Sequence, residues 1–122
     1  MIELKIGQTK IVTAEAKPYL AVDFDDTIAT TVNDIPIELK EGAKEALLKL
    51  KDKYIIVIYS ARNWSEWDNT EDRMKVMVDF LKKHNIYYDK ISQTNEGKHV
   101  AKYYIDDRAI TFKDNWKELA NI

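Results

Sequence analysis

The chain has 122 residues, of which 45% are hydrophobic and 33% charged, and its formal net charge at pH 7 is -2. This length gives room for one domain with one core, and the balance is that of a folded globular protein rather than a disordered one. The absence of cysteine excludes disulfides, thiolate metal sites and a cysteine nucleophile. The charge provides no overall basic field for nucleic acid. We see no signal-peptide pattern and no apolar run of membrane-spanning length, so we expect a cytoplasmic protein that does not enter membranes.

The first half of the chain predicts strands on either side of one helix. Residues 2–14 alternate apolar and β-branched positions around a short turn, which indicates two strands. The continuous apolar runs at 19–22 and 54–59 are typical of strands buried on both faces of a parallel sheet. Between these runs we expect a loop that contains Pro36 and then a helix. The helix is indicated by four apolar residues at helical spacing, Ala43, Ala46, Leu47 and Leu50.

The second half continues the alternation of helices and strands. A second helix is predicted by a stripe of apolar side chains, Met74, Met77, Val78 and Leu81, and it ends at His84-Asn85. Short strands are expected within 87–91 and at 102–105, and a short helix around Trp116 and Leu119 closes the chain. Strands that alternate with helices predict an α/β fold with a mainly parallel sheet.

Polar side chains follow three of the predicted buried strands. The strands end at Asp23 and Asp25, at Ser60, and at Asp106 and Asp107. Because ligands bind outside the carboxyl ends of parallel strands, these groups are expected to share one crevice. Four carboxylates cannot all stay ionised at such short range without a cation, and oxygen ligands favour Mg²⁺. The sequence therefore predicts a magnesium site formed by Asp23, Asp25, Asp106 and Asp107.

The segment 22–27 (VDFDDT) resembles the first motif, DxDx[TV], of the haloacid-dehalogenase superfamily. Ser60, after an apolar strand, is similar to the second motif, Lys98 to the third, and the Asp106-Asp107 pair to the fourth. The four elements occur in order from about Tyr19 to Asp107, so the strands at 2–14 lie outside the resemblance. The resemblance implies a three-layer, Rossmann-like fold and phosphoryl-transfer chemistry.

The resemblance also implies which residues react. Asp23 would attack phosphorus and form an aspartyl-phosphate, which divides one difficult hydrolysis into two steps. Asp25 would protonate the leaving oxygen and then activate water. Asp23, Asp107 and the main-chain carbonyl of Asp25 would hold Mg²⁺, with Asp106 as a supporting carboxylate or a further ligand.

Three more residues would bind the phosphoryl group according to the same resemblance. Ser60 and Lys98 would contact its oxygens, where donors and positive charge stabilise the transition state. Thr27 would hold the motif loop and hydrogen-bond Asp25 or phosphate. Lys90 is an alternative to Lys98, which is preferred because it follows the turn at 95–97 and directly precedes the fourth motif.

Four residues near these motifs have more than one interpretation. The family often has glycine where this chain has Asp26, so that side chain either points away from phosphate or adds negative charge to the site. Arg62 follows Ser60 at the rim of the expected crevice, where its guanidinium could grip a phosphate or form a structural salt bridge. Trp64 and Trp67 could stack on substrate or fold over a loop core.

The intervals 27–54 and 60–98 are too short for the inserted cap domain that often selects substrate in this superfamily. The chain is therefore expected to be one capless domain, with accessory strands at 1–17 and a catalytic core at 18–122. An open site suits a large substrate such as a phosphorylated polymer end, or it is covered by a second subunit of a homo-oligomer. The layout is similar to that of the phosphatase domain of polynucleotide kinases, which would imply 3′-phosphate ends of nucleic acid, although the net charge of -2 weakens that case.

These observations predict a magnesium-dependent phosphomonoester hydrolase that acts through an aspartyl-phosphate. Sugar phosphates, nucleotides and nucleic-acid 3′-ends remain alternative substrates, and transfer to an acceptor other than water uses the same residues. A non-catalytic phospho-ligand module is the alternative from another class. It is disfavoured because such a module needs neither a nucleophile nor a proton donor.

Overall fold

The structure, a computed structural model, describes residues 17–63, 70–92 and 101–121 of the chain. These ranges contain six strands, three α-helices and one 3₁₀ turn. They are β1 (Tyr19–Asp23), β2 (Ala29–Val32), β3 (Ile35–Leu39), α1 (Ala43–Leu50), β4 (Ile55–Tyr59), a 3₁₀ turn (Ala61–Asn63), α2 (Thr70–Lys83), β5 (Lys90–Ile91), β6 (Tyr103–Ile105) and α3 (Trp116–Leu119). The strands predicted at 2–14 lie outside the described residues.

Four of the strands form one parallel sheet in the order β5-β4-β1-β6. The two central strands, β1 and β4, come from the two longest apolar runs of the sequence, and they pair over five residues from Tyr19↔Ile55 to Asp23↔Tyr59. This confirms the prediction of an α/β fold with a mainly parallel sheet. Central position and apolar composition agree because a central strand is covered on both faces.

One face of the sheet carries the hydrophobic core. Alternate residues of β1 and β4 point to this face, because side chains along a strand alternate between the two faces. They join buried residues of both longer helices in one cluster, which comprises Leu20, Val22, Phe24, Ile28, Ala29, Leu47, Ile56, Ile58, Met77, Phe80, Leu81 and Ile86. The predicted helical stripes therefore do supply core residues, and α1 and α2 cover this face.

The ends of the helices follow local rules. Gly42 precedes α1 with a φ of 83°, a left-handed conformation that costs glycine little. Asn85 ends α2 with a φ of 54°, and the amide of Ile86 donates to the carbonyl of Leu81. The longest helix, α2, has 14 residues, and no helix in the described ranges is long and apolar enough to cross a membrane.

The loop expected around Pro36 is instead a β-hairpin made of β2 and β3. Its two-residue turn, Asn33-Asp34, has positive φ at both positions (52° and 65°), as a type I′ turn requires. The prediction of a loop was wrong because both strands are short and largely exposed, so they lack a buried apolar pattern. Pro36 is accommodated next to an irregularity in the pairing at Thr30/Thr31.

Candidate functional site

Asp23, Asp106 and Asp107 lie together at the carboxyl end of the sheet. Asp23 is the last residue of β1, and the other two aspartates directly follow β6. Because β1 and β6 are neighbours, with Val22 opposite Ile105, the ends of both strands meet at the same edge. One carboxylate oxygen from each aspartate lies within 4.8 Å of the others. The structure thus brings together three of the four predicted metal ligands.

The cluster lies where the order in which the chain adds strands to the sheet reverses. From β1 the chain crosses to β4 on one side and then to β5, whereas β6 pairs with the other side of β1. A reversal of this kind leaves a crevice between the two strands, beyond their carboxyl ends. Asp23 and Asp106 follow these two strands, so they lie at the position where open α/β sheets bind ligands.

The pKa values of Asp23 and Asp106 are shifted in opposite directions. Burial, the negative charge of Asp106 and a hydrogen bond with Asp107 together raise the pKa of Asp23 to about 7, and burial is the largest of these causes. The pKa of Asp106 is lowered, chiefly because the phenol of Tyr59 and the amide of Arg108 donate hydrogen bonds to it. A cation bound here would favour the ionised form of Asp23. The donor set is carboxylate oxygens, so the residues present fit Mg²⁺.

Tyr59 is a residue of the site that the sequence analysis did not identify. Its hydroxyl donates to Oδ2 of Asp106 at 2.5 Å, and burial together with this bond raises the pKa of the phenol. Tyr59 is the last residue of β4 and pairs with Asp23 on β1, and β1 lies between β4 and β6. Its ring also packs edge-on against Tyr104, with centroids 6.2 Å apart. No local pattern pointed to it, since its partner is 47 residues further along the chain.

Asp25 lies apart from the cluster and is paired with a cation. The guanidinium of Arg62 donates to both of its oxygens, from Nη2 to Oδ1 at 2.8 Å and from Nε to Oδ2 at 3.0 Å. The hydroxyl of Thr31, on β2, also donates to Oδ1 at 2.8 Å. The side chains of Asp23 and Asp25 therefore occupy different environments although they are two residues apart.

The side chain of Arg62 is buried and is bound by acceptors from three parts of the protein. Arg62 is 3% exposed, and besides Asp25 it donates to the backbone carbonyls of Asp34 at 2.7 Å and Arg73 at 3.4 Å. A bound phosphate would have to replace these protein acceptors. The salt bridge, which was the alternative interpretation, is the arrangement present.

Thr27 and Ser60 occupy local roles. The hydroxyl oxygen of Thr27 is buried without a hydrogen-bond partner among the described residues, and Thr31 makes the contact with Asp25 that was expected of Thr27. The hydroxyl of Ser60 accepts the amide of Arg62 at 3.1 Å at the start of the 3₁₀ turn.

The side chain of Asp26 turns toward the hairpin. Its Oδ1 accepts the amide of Thr31 at 3.1 Å, and its φ of 60° is left-handed, which explains why glycine suits this position. Of the two interpretations of Asp26, the one in which its carboxylate is directed elsewhere fits this contact. Lys98, Trp64 and Trp67 lie outside the described residues.

No protein-family model matches the chain, and none of the curated proteins matches it. Among solved structures, the chain is similar to a conserved protein from Bacteroides thetaiotaomicron, with a TM-score of 0.59 and 22% sequence identity. The alignment covers 85% of this chain and 87% of that chain. At this identity the likeness shows a common fold alone.

Proposed function

We propose that this chain is a magnesium-dependent phosphomonoester hydrolase of the haloacid-dehalogenase type, with Asp23 as nucleophile and Asp25 as general acid and base. The observation that carries the proposal is the separation of two neighbouring aspartates into different environments. Asp23 belongs to an acidic cluster at the reversal of the strand order, and Asp25 is held by Arg62 and Thr31. Carboxylates that share a site but differ in environment can take different roles.

The first step transfers the phosphoryl group to the protein. A carboxylate oxygen of Asp23 forms a bond to phosphorus while the bond to the leaving oxygen breaks, and Asp25 gives its proton to that oxygen. In the second step Asp25 takes a proton from water, and the water oxygen bonds to phosphorus while the bond between phosphorus and the Asp23 oxygen breaks. Phosphate is released, and Asp23 and Asp25 return to their starting states.

Asp23, Asp106 and Asp107 would hold Mg²⁺, together with the main-chain carbonyl of Asp25 that the family resemblance implies. When bound, the ion would neutralise charge on the phosphoryl oxygens. Tyr59 keeps one oxygen of Asp106 occupied and so fixes the direction of its carboxylate. Ser60 and Lys98 remain the proposed contacts to the transferring oxygens.

The decisive experiment compares Asp23→Asn with the wild type on 4-nitrophenyl phosphate in Mg²⁺. Asparagine keeps the size of the side chain but removes its charge, so we expect phosphate release to fall roughly 10⁴-fold or more, as when other enzymes lose a covalent nucleophile. Intact-mass measurement after rapid acid quenching should find a phosphoryl adduct on the wild type and none on the variant. Asp79→Asn is the matched control, because Asp79 makes an exposed salt bridge with Lys75 on α2.

Near-normal turnover by Asp23→Asn would contradict the covalent mechanism. A wild type that binds phosphate but releases none from any phosphomonoester would favour the non-catalytic module. Formation of a new ester in the presence of added alcohols, with little free phosphate, would assign the chain to phosphotransferases instead.

A further inference from the structure

Arg62 is a buried cation that fixes the plane of the Asp25 carboxylate. The arginine side chain is 4% exposed, whereas that of Asp25 is 31% exposed, so solvent reaches the aspartate but not the guanidinium that holds it. Nη2 of the guanidinium donates a hydrogen bond to Oδ1 of the carboxylate, and Nε donates one to Oδ2. A planar fork of this kind restricts rotation of a carboxylate, which a single-point contact from lysine does not do.

The two oxygens of Asp25 have unequal numbers of partners. Oδ1 accepts Nη2 of Arg62 and the hydroxyl of Thr31, both at 2.8 Å, with a longer contact from Nε at 3.2 Å. Within the described ranges, Oδ2 accepts Nε alone, at 3.0 Å. Since each carboxylate oxygen offers about two lone-pair sites, Oδ1 is filled, whereas the described residues leave one site of Oδ2 for a proton.

The same guanidinium also joins Asp25 to the hairpin and to a helix. Nη2 donates to the carbonyl of Asp34 in the β2–β3 turn, and Nη1 lies 3.4 Å from the carbonyl of Arg73 on α2. Thr31, the second donor to Oδ1, belongs to the same hairpin. The position of the hairpin and the orientation of Asp25 are therefore linked through one side chain.

We propose that Arg62 is a positioning residue that, with Thr31, reserves Oδ2 of Asp25 for proton transfer; this inference rests on the proposed function. The Oδ2–H bond breaks as the leaving oxygen gains its proton, which leaves a carboxylate facing the guanidinium. Water then returns a proton to Oδ2 as its oxygen bonds to phosphorus. Arg62 would act on the reaction through Asp25, whose carboxylate it holds at both oxygens.

The test uses three phosphate esters whose leaving groups differ in basicity: 4-nitrophenyl, phenyl and 4-methoxyphenyl phosphate. We compare kcat/KM, which reports every step up to formation of the phosphoenzyme, for the wild type, Arg62→Ala and Arg62→Lys. Since a general acid contributes about 10²–10⁴-fold to rate, misplacing it should reduce kcat/KM at least about tenfold more for the 4-methoxyphenyl ester than for the 4-nitrophenyl ester. The inhibition constant of inorganic phosphate should stay unchanged.

A double-mutant cycle supplies the second readout. In an Asp25→Asn background, Arg62→Lys should have little further effect, because the group that Arg62 orients no longer carries the proton. Thr31→Val removes the other donor to Oδ1 from a half-buried position without disturbing the guanidinium. It should give the same dependence on leaving group in weaker form, so the proposal remains testable if Arg62→Ala does not fold.

Other results would overturn the proposal. Equal loss on all three esters with weaker inhibition by phosphate would make Arg62 a phosphate ligand. Unchanged kinetics in Arg62→Lys and Thr31→Val, or additive losses in the cycle, would assign the contacts to structure alone. A wild type inactive on every ester would overturn the proposed function as well, whereas an active wild type with these variant results would overturn this inference only.

Discussion

Phe24, the residue between Asp23 and Asp25, is fully buried, and its ring packs edge-on against Phe80 with centroids 5.7 Å apart. Because neighbouring residues of extended chain point in opposite directions, this anchor keeps both aspartates out of the core. The guanidinium of Arg62 lies 5.6 Å from the same ring, so one aromatic side chain supports both Asp25 and its partner. Packing in the core thus explains why an apolar residue, Phe24, stands between the two aspartates.

Tyr59→Phe tests whether the phenol orients Asp106 toward a cation. The substitution removes one hydroxyl and keeps the ring that packs against Tyr104. Loss of such a supporting hydrogen bond should weaken Mg²⁺ about 10-fold or more, within the range known for groups that orient metal ligands. Calorimetric titration with Mg²⁺ measures the affinity directly, without relying on turnover.

The control for this substitution is Tyr87→Phe. Tyr87 also donates from its phenol to an aspartate, Asp89, at 2.6 Å, but on an exposed surface away from the acidic cluster. It should leave Mg²⁺ affinity unchanged. Equal affinities of Tyr59→Phe and the wild type would mean that Asp106 is either held by other contacts or not a ligand.

The β2–β3 hairpin is the element that links the first motif to Arg62. Asp26 precedes the hairpin with a left-handed φ, and its carboxylate accepts a hydrogen bond from the amide of Thr31 on β2. Asparagine tolerates this conformation and keeps an oxygen acceptor, whereas alanine tolerates it poorly and has none. The turn chemistry therefore makes a stability prediction that is independent of catalysis.

Asp26→Ala should lower the free energy of unfolding by about 1–2 kcal/mol, as the sum of left-handed strain and a lost hydrogen bond. Asp26→Asn should stay within about 0.5 kcal/mol of the wild type, as for benign surface changes. Urea denaturation followed by circular dichroism measures both. If alanine and asparagine are equally stable, the contact between Asp26 and Thr31 contributes nothing to the hairpin.

The elements that could be predicted are those whose burial leaves a run or a regular spacing of apolar residues along the sequence. The apolar runs at 19–22 and 54–59 identified β1 and β4, and the residues after the strands identified the acidic cluster, because strand ends in a parallel sheet share an edge. The β2–β3 hairpin was not predicted because its apolar residues Val32, Ile35 and Ile37 are exposed and so form no buried pattern. Its available signal was the Asn33-Asp34 pair, both residues of which tolerate positive φ.

Pairings across the sheet could not be predicted in the same way. The contact of Arg62 with Asp25 joins residues 37 apart and depends on the register that puts Tyr59 opposite Asp23. That register is set by packing of β1 against β4, not by any local pattern. Sequence reasoning therefore found Arg62 as a candidate but gave it two alternative partners, and only the fold distinguished them.

At the scale of the whole molecule, the acidic cluster lies where β1 meets β6, which is an edge strand of the sheet in the described part of the chain. Their pairing covers three residues, from Leu20↔Tyr103 to Val22↔Ile105. Just beyond it, Asp23 opposes Asp106 and Asp107, so repulsion between carboxylates acts against the same contact. A cation that binds all three would turn this repulsion into a link between the two strands.

The pH dependence of stability follows from Asp23. Its pKa is about 7 in the folded protein and about 3.9 in an unfolded chain. Between these values the folded state holds a proton that the unfolded state has lost, so this group makes metal-free stability fall as pH rises from about 4 to about 7. The lowered pKa of Asp106 acts in the opposite direction, and its contribution is lost as pH falls below the unfolded value.

Mg²⁺ should therefore stabilise the protein more at pH 8 than at pH 5.5, because at the lower pH it must displace the proton from Asp23. At ten times its dissociation constant the ion adds roughly 1.4 kcal/mol, which corresponds to a rise in Tm of about 4–6 °C for a chain of this size. Scanning calorimetry at both pH values, with Mg²⁺ or with chelator, measures the difference. Asp107→Asn should reduce the gain and Asp79→Asn should not. An equal rise in Tm at both pH values, or one that survives Asp107→Asn, would locate the ion elsewhere.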